Sequence, residues 1–152
     1  MPEGPTTTDT SCLVGLERIN RLDLLEQLYR TLVIPRAVAI EWGSTPPGWI
    51  TVAAVQNQAL VHALRDRLGA GESETIAYAL ESAAARVILD DKRARRVAQQ
   101  YHLPLTGTVG IILRAKEHGL IQAVGPVLIE LCQAGFMISD YLMTEALRLA
   151  HE

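Results

Sequence analysis

Short runs of β-branched and aliphatic residues alternate along this chain with longer stretches in which apolar side chains recur every three or four positions. A parallel sheet with helical crossovers produces that alternation, so the pattern predicts an α/β fold, a single domain with a short Rossmann-like parallel sheet flanked by helices. Strands are expected at Thr6 to Thr10, Leu32 to Ile34, Trp49 to Ala53, Val87 to Leu89 and Leu103 to Thr106. Helices are expected at Leu13 to Ile19, Leu22 to Tyr29, Pro35 to Trp42, Gln56 to Leu68 and Glu72 to Ala84. Four more follow, at Asp91 to Tyr101, Val109 to His118, Gly125 to Ala134 and from Ser139 onward. Gly69, Gly119 and Gly135 stand just past apolar stripes, the usual place of a left-handed stop. The stretch Gly43 to Gly48, with Pro46-Pro47, is long enough to shape a groove and too short to link two domains. The first strand fits its place poorly. A strand covered on both faces should be rich in Val, Ile and Leu, whereas Pro5 is followed by three threonines. Either residues 1–5 are disordered or foreign to the natural chain, or the first strand is shortened.

Composition narrows the choices. A chain of 152 residues suits one domain, and 49% hydrophobic content with 5% aromatic residues implies an aliphatic core. The formal charge of −3 excludes coating nucleic acid by bulk electrostatics, so any such contact needs a local basic patch. Cys12 and Cys132 lack C-x-x-C spacing, which disfavours zinc and redox motifs and leaves buried free thiols as the expectation. No apolar run approaches the ~18 to 20 residues of a membrane span, and the start lacks the basic and apolar regions of a signal peptide, so a cytoplasmic protein with no membrane partner is expected. The histidines are scattered, and Thr106-Gly107-Thr108-Val109-Gly110 lacks the lysine and length of a phosphate loop.

The chemistry lies in carboxylates that sit where apolar elements meet turns. Asp9 falls between a strand and a helix, where a helix cap is the alternative role. Glu41 lies beside the inward stripe of its helix, or is an ordinary solvated glutamate. Glu72 falls on the apolar stripe with Ile76, Ala79 and Leu80, while Glu74 falls with Tyr78 and Glu81 and is the reserve acid. Acid in a helix's first turn is also ordinary dipole complementation. Asp90-Asp91 follow Val87-Ile88-Leu89 at the carboxyl end of a buried strand, where open α/β sheets bind ligands; an N-cap explains one of the two acids more easily than both. If these groups converge, like charges about 4 Å apart repel by roughly 4 kcal/mol per pair at intermediate dielectric, and a divalent cation is the simplest remedy. Beside the pair, Lys92, Arg93, Arg95 and Arg96 form either a solvated helix face or a phosphate-binding patch. Thr10, Ser11 and Thr108 could orient carboxylates, and Thr108 could equally cap its helix.

The series Asp9-Thr10-Ser11, Pro35 to Glu41, Gly71-Glu72-Ser73-Glu74-Thr75-Ile76-Ala77, Leu89 to Arg95, Gly107-Thr108 and Arg114-Ala115-Lys116 resembles the PIN-domain family, most closely a little-characterised prokaryotic subfamily. The resemblance runs from about Asp9 to the end and rests on the combination of motifs. It implies a parallel sheet wrapped by helices, carboxylates binding Mg²⁺ or Mn²⁺ at its carboxyl edge, and cleavage of single-stranded RNA, with many relatives acting as toxins restrained by a cognate antitoxin protein, often as homodimers. By position Asp9, Glu41, Glu72 and Asp90 or Asp91 match the family's acidic set; glutamate stands at Glu72 where the family usually has aspartate. The mechanism expected from it uses Asp9 and the Asp90-Asp91 pair as principal metal ligands, Glu72 and Glu41 as ligands directly or through water, and the basic run as the strand's seat.

Two rivals remain at this level. A catalytically inactive module of the same fold, binding RNA or protein, would use the acids as caps and surface charge. A phospho-acceptor signalling domain also gathers acids at a sheet edge, but it needs an acid pair near the first strand and a lysine after the last, and this chain has neither.

Overall fold

Three consecutive threonines form the first strand, β1 (Thr6–Thr8), and all three are buried in the middle of the molecule. The computed structural model describes residues 4–152, and the elements follow one another in the alternating order that the apolar pattern predicts. After β1 come α1 (Thr10–Arg18), α2 (Asp23–Tyr29), β2 (Leu32–Pro35), α3 (Arg36–Trp42), β3 (Ile50–Ala53), α4 (Gln58–Leu64) and α5 (Ala70–Ser82). The second half contributes β4 (Arg86–Ile88), α6 (Lys92–Gln100), β5 (Leu105–Thr106), α7 (Thr108–Glu117), α8 (Val124–Gln133) and α9 (Asp140–Leu149).

Every strand pairing is parallel: β1 with β4, β4 with β5, and β2 with β3. The ladders make one three-stranded and one two-stranded sheet, and β2 lies alongside β1, so the strands run across the molecule as β3-β2-β1-β4-β5. The chain leaves β1 toward β2 and later returns to β1's other side with β4. This reversal creates a crevice at the carboxyl ends of β1 and β4, the usual binding place of an open α/β sheet. The Asp9 N–H donates to the Ile88 carbonyl at 3.0 Å, which fixes the two strand ends side by side.

A large core cluster packs α1, α2, α7 and α8 on one side of the strands, and a smaller one around Leu64, Ile76, Val87 and Val97 packs α5 and α6 on the other. Threonine serves in the central strand because its β-branched shape suits the pleat, although the Thr7 hydroxyl is buried there without a partner. The Thr8 hydroxyl donates to the Asp9 carbonyl at 3.1 Å. Of the expectation for residues 1–5, residues 1–3 lie outside the described residues. Pro5 belongs to the fold, its carbonyl accepting from the Ala85 N–H at 2.8 Å.

Two boundary differences change the chemistry. β1 stops at Thr8, two residues earlier than expected, and α1 starts at Thr10, three earlier than Leu13, so Asp9 occupies the junction. Helix α5 starts at Ala70 rather than Glu72, because Gly69 takes the cap position and Glu72 falls in the third helical position. Pro35 ends β2 and precedes α3 instead of opening it. Among the described residues no helix is long and apolar enough to cross a membrane.

Candidate functional site

Asp9 occupies the N-cap position of α1, yet its side chain caps nothing. The carboxyl group is 2% exposed, and its Oδ1 has no hydrogen-bond partner. Burial pushes its pKa well above the usual carboxylate range, the Asp90 and Glu72 charges push it further, and the backbone N–H groups of Cys12 and Asp90 act in the opposite sense. A buried oxygen left without a partner costs about 1 to 3 kcal/mol, which an ordinary helix cap would avoid.

The other acids approach Asp9 from separate elements. Asp90 follows β4, and both its oxygens are held by Thr108 at the start of α7: the N–H donates to Oδ1 at 2.8 Å and the hydroxyl to Oδ2 at 2.6 Å. Burial raises the Asp90 pKa, while these two bonds and the nearby Arg95 guanidinium lower it in part. Thr108 thus places its hydroxyl on an acid. The Asp pair divides its work, because Asp91 is the residue that caps α6, its Oδ2 accepting from the Ala94 N–H at 2.9 Å.

Glu41 stands exposed near the carboxyl end of α3, where the helix dipole disfavours an anion. Two donors hold it there: the Thr10 hydroxyl to Oε1 at 2.7 Å and the Gly71 N–H to Oε2 at 3.3 Å. Gly71 must be glycine for this approach, since a Cβ at that position would fall 2.1 Å from Glu41 Oε1. Glu72 bends back toward the Gly69 N–H, a long contact of 3.4 Å, and partial burial with Asp91 and Glu41 nearby raises its pKa. Asp9, Glu41 and Glu72 line one hollow of about 130 Å³ together with Thr10, Ser11 and Gly69. Asp90 and Asp91 line the adjoining groove, which shares Thr10 and Ser11.

The reserve acid Glu74 goes elsewhere, accepting from the Ala37 N–H at 3.1 Å at the start of α3. The basic run splits as well. Lys92 lines the groove beside Asp90 and Asp91. Arg95 donates to the Leu89 carbonyl at 2.7 Å, and Arg93 reaches the Arg67 carbonyl at 3.5 Å, whereas Arg96 is exposed on α6 and lines neither hollow. Cys12 is buried as expected, but Cys132 is exposed on α8.

A family model described as a PIN domain matches residues 5–152. This chain belongs to the PIN-domain family. No curated protein matches it. PIN domains are in general nucleases and typically bind divalent metal ions. In this PIN domain the donor set suits a hard cation in kind: every gathered ligand is a carboxylate oxygen, and Asp9 keeps a buried oxygen that nothing satisfies. The spacing stops short of a closed cage, because among the described residues no three Asp, Glu, His or Cys side chains converge tightly enough to hold one ion.

Sequence patterns missed the rest of the groove of this PIN domain: Val14, Gly15 and Arg18 on α1, and Ala134 to Met137 after α8. One signal was available. The chain's single phenylalanine directly follows the glycine that stops α8.

Proposed function

We propose that this PIN domain is a metal-dependent endoribonuclease acting on single strands, with Mg²⁺ or Mn²⁺ as its cofactor. The observation that carries the reading is Asp9, a carboxylate buried at the strand reversal beside Asp90 and Glu72 with one oxygen unsatisfied. Asp9, Glu72, Asp90 and Asp91 are the residues that would hold the ion, and Glu41 is positioned by Thr10 and Gly71 to join them directly or through water. Such an ion supplies a bound water of lowered pKa and neutralises charge on the scissile phosphate. Thr108 fixes the orientation of Asp90 through two bonds, Lys92 presents a cation to the strand's phosphates, and Arg95 tempers the negative charge beside Asp90.

A toxin role, with a cognate antitoxin protein as partner and a homodimer as the assembly, is consistent with this family and belongs to the same proposal. The rival reading, a PIN domain that only binds RNA or protein, draws on the open spacing of the acids. Cleavage of a labelled single-stranded RNA in Mg²⁺, Mn²⁺ or chelator separates the two. Metal-dependent cleavage that Asp90→Asn reduces at least a hundredfold, with the fold retained by circular dichroism, supports the nuclease. Equal cleavage by wild type and variant rejects this site.

A further inference from the structure

The acidic hollow opens across Thr10 and Ser11 into a groove of about 530 Å³ whose far side takes no part in the reaction proposed above. Its two walls differ in character. Asp90, Asp91 and Lys92 at the head of α6 make one wall charged, and Arg18 on α1 adds a guanidinium at the end of α8. Val14 and Gly15 on α1, with Phe136 and Met137 beyond α8, make the other largely apolar.

The apolar wall is built by backbone constraints. Gly135 adopts φ +101°, a conformation that L side chains rarely take, and the Phe136 N–H returns to the Leu131 carbonyl at 2.9 Å to close the helix end. The turn lays the Phe136 ring on α1, where a Cβ at Gly15 would come within 2.9 Å of Phe136 Cδ2. Arg18 fastens the same turn by donating to the Ala134 carbonyl at 3.1 Å, so the guanidinium and the ring are set by one piece of backbone. Met137 then projects with 91% of its surface in water at the mouth of a polar site. An exposed methionine thus stands beside the chain's sole phenylalanine on this wall.

We infer that this groove seats one unpaired nucleobase of the substrate strand, its ring against Phe136 and Met137 and its adjoining phosphate toward Lys92 and Arg18. The inference rests on the single-strand nuclease reading and names how that site takes its substrate. Single-stranded nucleic acid asks for this pairing of surfaces, cations for the backbone and an apolar face on which a base stacks. A base held in a duplex cannot be delivered to such a wall, so the groove also supplies a physical reason for preferring unpaired RNA. Thr10, Ser11 and Asp90 are shared with or adjoin the acidic hollow, so a nucleotide seated in the groove has its phosphate next to the carboxylates.

The test titrates the full chain, in chelator, with a short single-stranded RNA carrying the fluorescent base 2-aminopurine, and with the same strand carrying an abasic position. Seating of the base is read as a change of 2-aminopurine fluorescence on binding. Met137→Ala, at a site too exposed to disturb the fold, is expected to weaken binding of the intact strand about five- to tenfold and to leave binding of the abasic strand unchanged. Phe136→Leu is expected to weaken the intact strand in the same way, with melting temperature as its control. If both variants bind both strands as wild type does, the inference fails, as it also does if Met137→Ala abolishes binding of a protein partner and leaves RNA untouched. Cleavage in Mn²⁺ is scored separately. A strand that is bound with its base seated but never cut upholds the groove and defeats the nuclease reading. Cutting with unchanged KM and kcat in both variants upholds the nuclease and defeats the groove.

Discussion

Asp9→Asn should make the metal-free protein more stable while removing its response to metal. The carboxylate is 2% exposed, lacks a partner for Oδ1, and has Asp90 and Glu72 raising its pKa. At neutral pH the fold must either keep that group protonated or tolerate its charge. Two unit charges 4 Å apart repel by roughly 4 kcal/mol at an effective dielectric of 20. Protonation and relaxation remove part of this, so a net gain of about 1 to 3 kcal/mol is expected for the neutral isostere. Asparagine keeps the shape of the side chain and offers donors to the neighbouring acids. For a chain of this size each kcal/mol moves the melting temperature by about 2 to 4 °C. Thermal unfolding in chelator should therefore show Asp9→Asn melting about 3 to 10 °C above wild type. In Mg²⁺ or Mn²⁺ the order should narrow or reverse, because an ion at a hundred times its Kd stabilises the wild-type fold by about 2.7 kcal/mol and has lost a ligand in the variant. A variant that melts below wild type in chelator would show that the Asp9 carboxylate supports the fold, and an equal metal response in both would place the ion elsewhere.

The same acids predict an unusual pH profile. Asp9, Glu72 and Asp90 all have folded-state pKa values raised above their ordinary ones, so their stabilising contribution is complete below the ordinary carboxylate range and is lost as pH rises through the raised values. In chelator the melting temperature should climb as pH falls from neutral toward the ordinary carboxylate range; a steady decline over that interval would contradict it. Glu152 behaves in the opposite sense, because the Val124 and Gly125 N–H groups and Lys116 hold its carboxyl down at about 2. Glu152→Gln should lower the neutral-pH melting temperature, with the gap closing as pH falls below the ordinary glutamate range toward 2, which paired melts across pH would reveal. Gly71→Ala should displace Glu41, given a Cβ only 2.1 Å from its Oε1, and so weaken metal binding about tenfold by calorimetric titration while changing stability by less than about 1 kcal/mol.

The architecture was legible because apolar period and helix stops are local signals. All five expected strands and all nine expected helices have counterparts among the described residues, with ends shifted by a few residues. The largest shift is at α4, where the expected helix to Leu68 ends at Leu64 and the chain turns before Gly69. Leu68 remains buried, so its apolar signal reported packing and not helical geometry. The threonine strand misled for a related reason: hydropathy scores the hydroxyl, whereas the fold uses the branched Cβ and satisfies the Thr8 hydroxyl within one residue.

The acids divide along a physical line that no spacing rule could draw. Asp90 and Asp91 are chemically identical neighbours, yet one is fixed by Thr108, eighteen residues downstream, and the other caps its own helix. Glu72 and Glu74 share a helix, and the one that leaves the site is drawn to an N–H at the start of α3. In each case the outcome depends on which backbone donor another element brings within reach, and that is settled only when the strands order themselves. Hydrogen bonding sets Asp9 apart from the other acids. Asp91 and Glu74 accept bonds that complete helix ends, and Asp9, with an N-cap's backbone and no capping bond, keeps an oxygen in reserve at energetic cost. A fold retains such an unsatisfied charge where a ligand removes the cost, so the melting behaviour of Asp9→Asn with and without metal addresses the purpose of the site as directly as any cleavage assay.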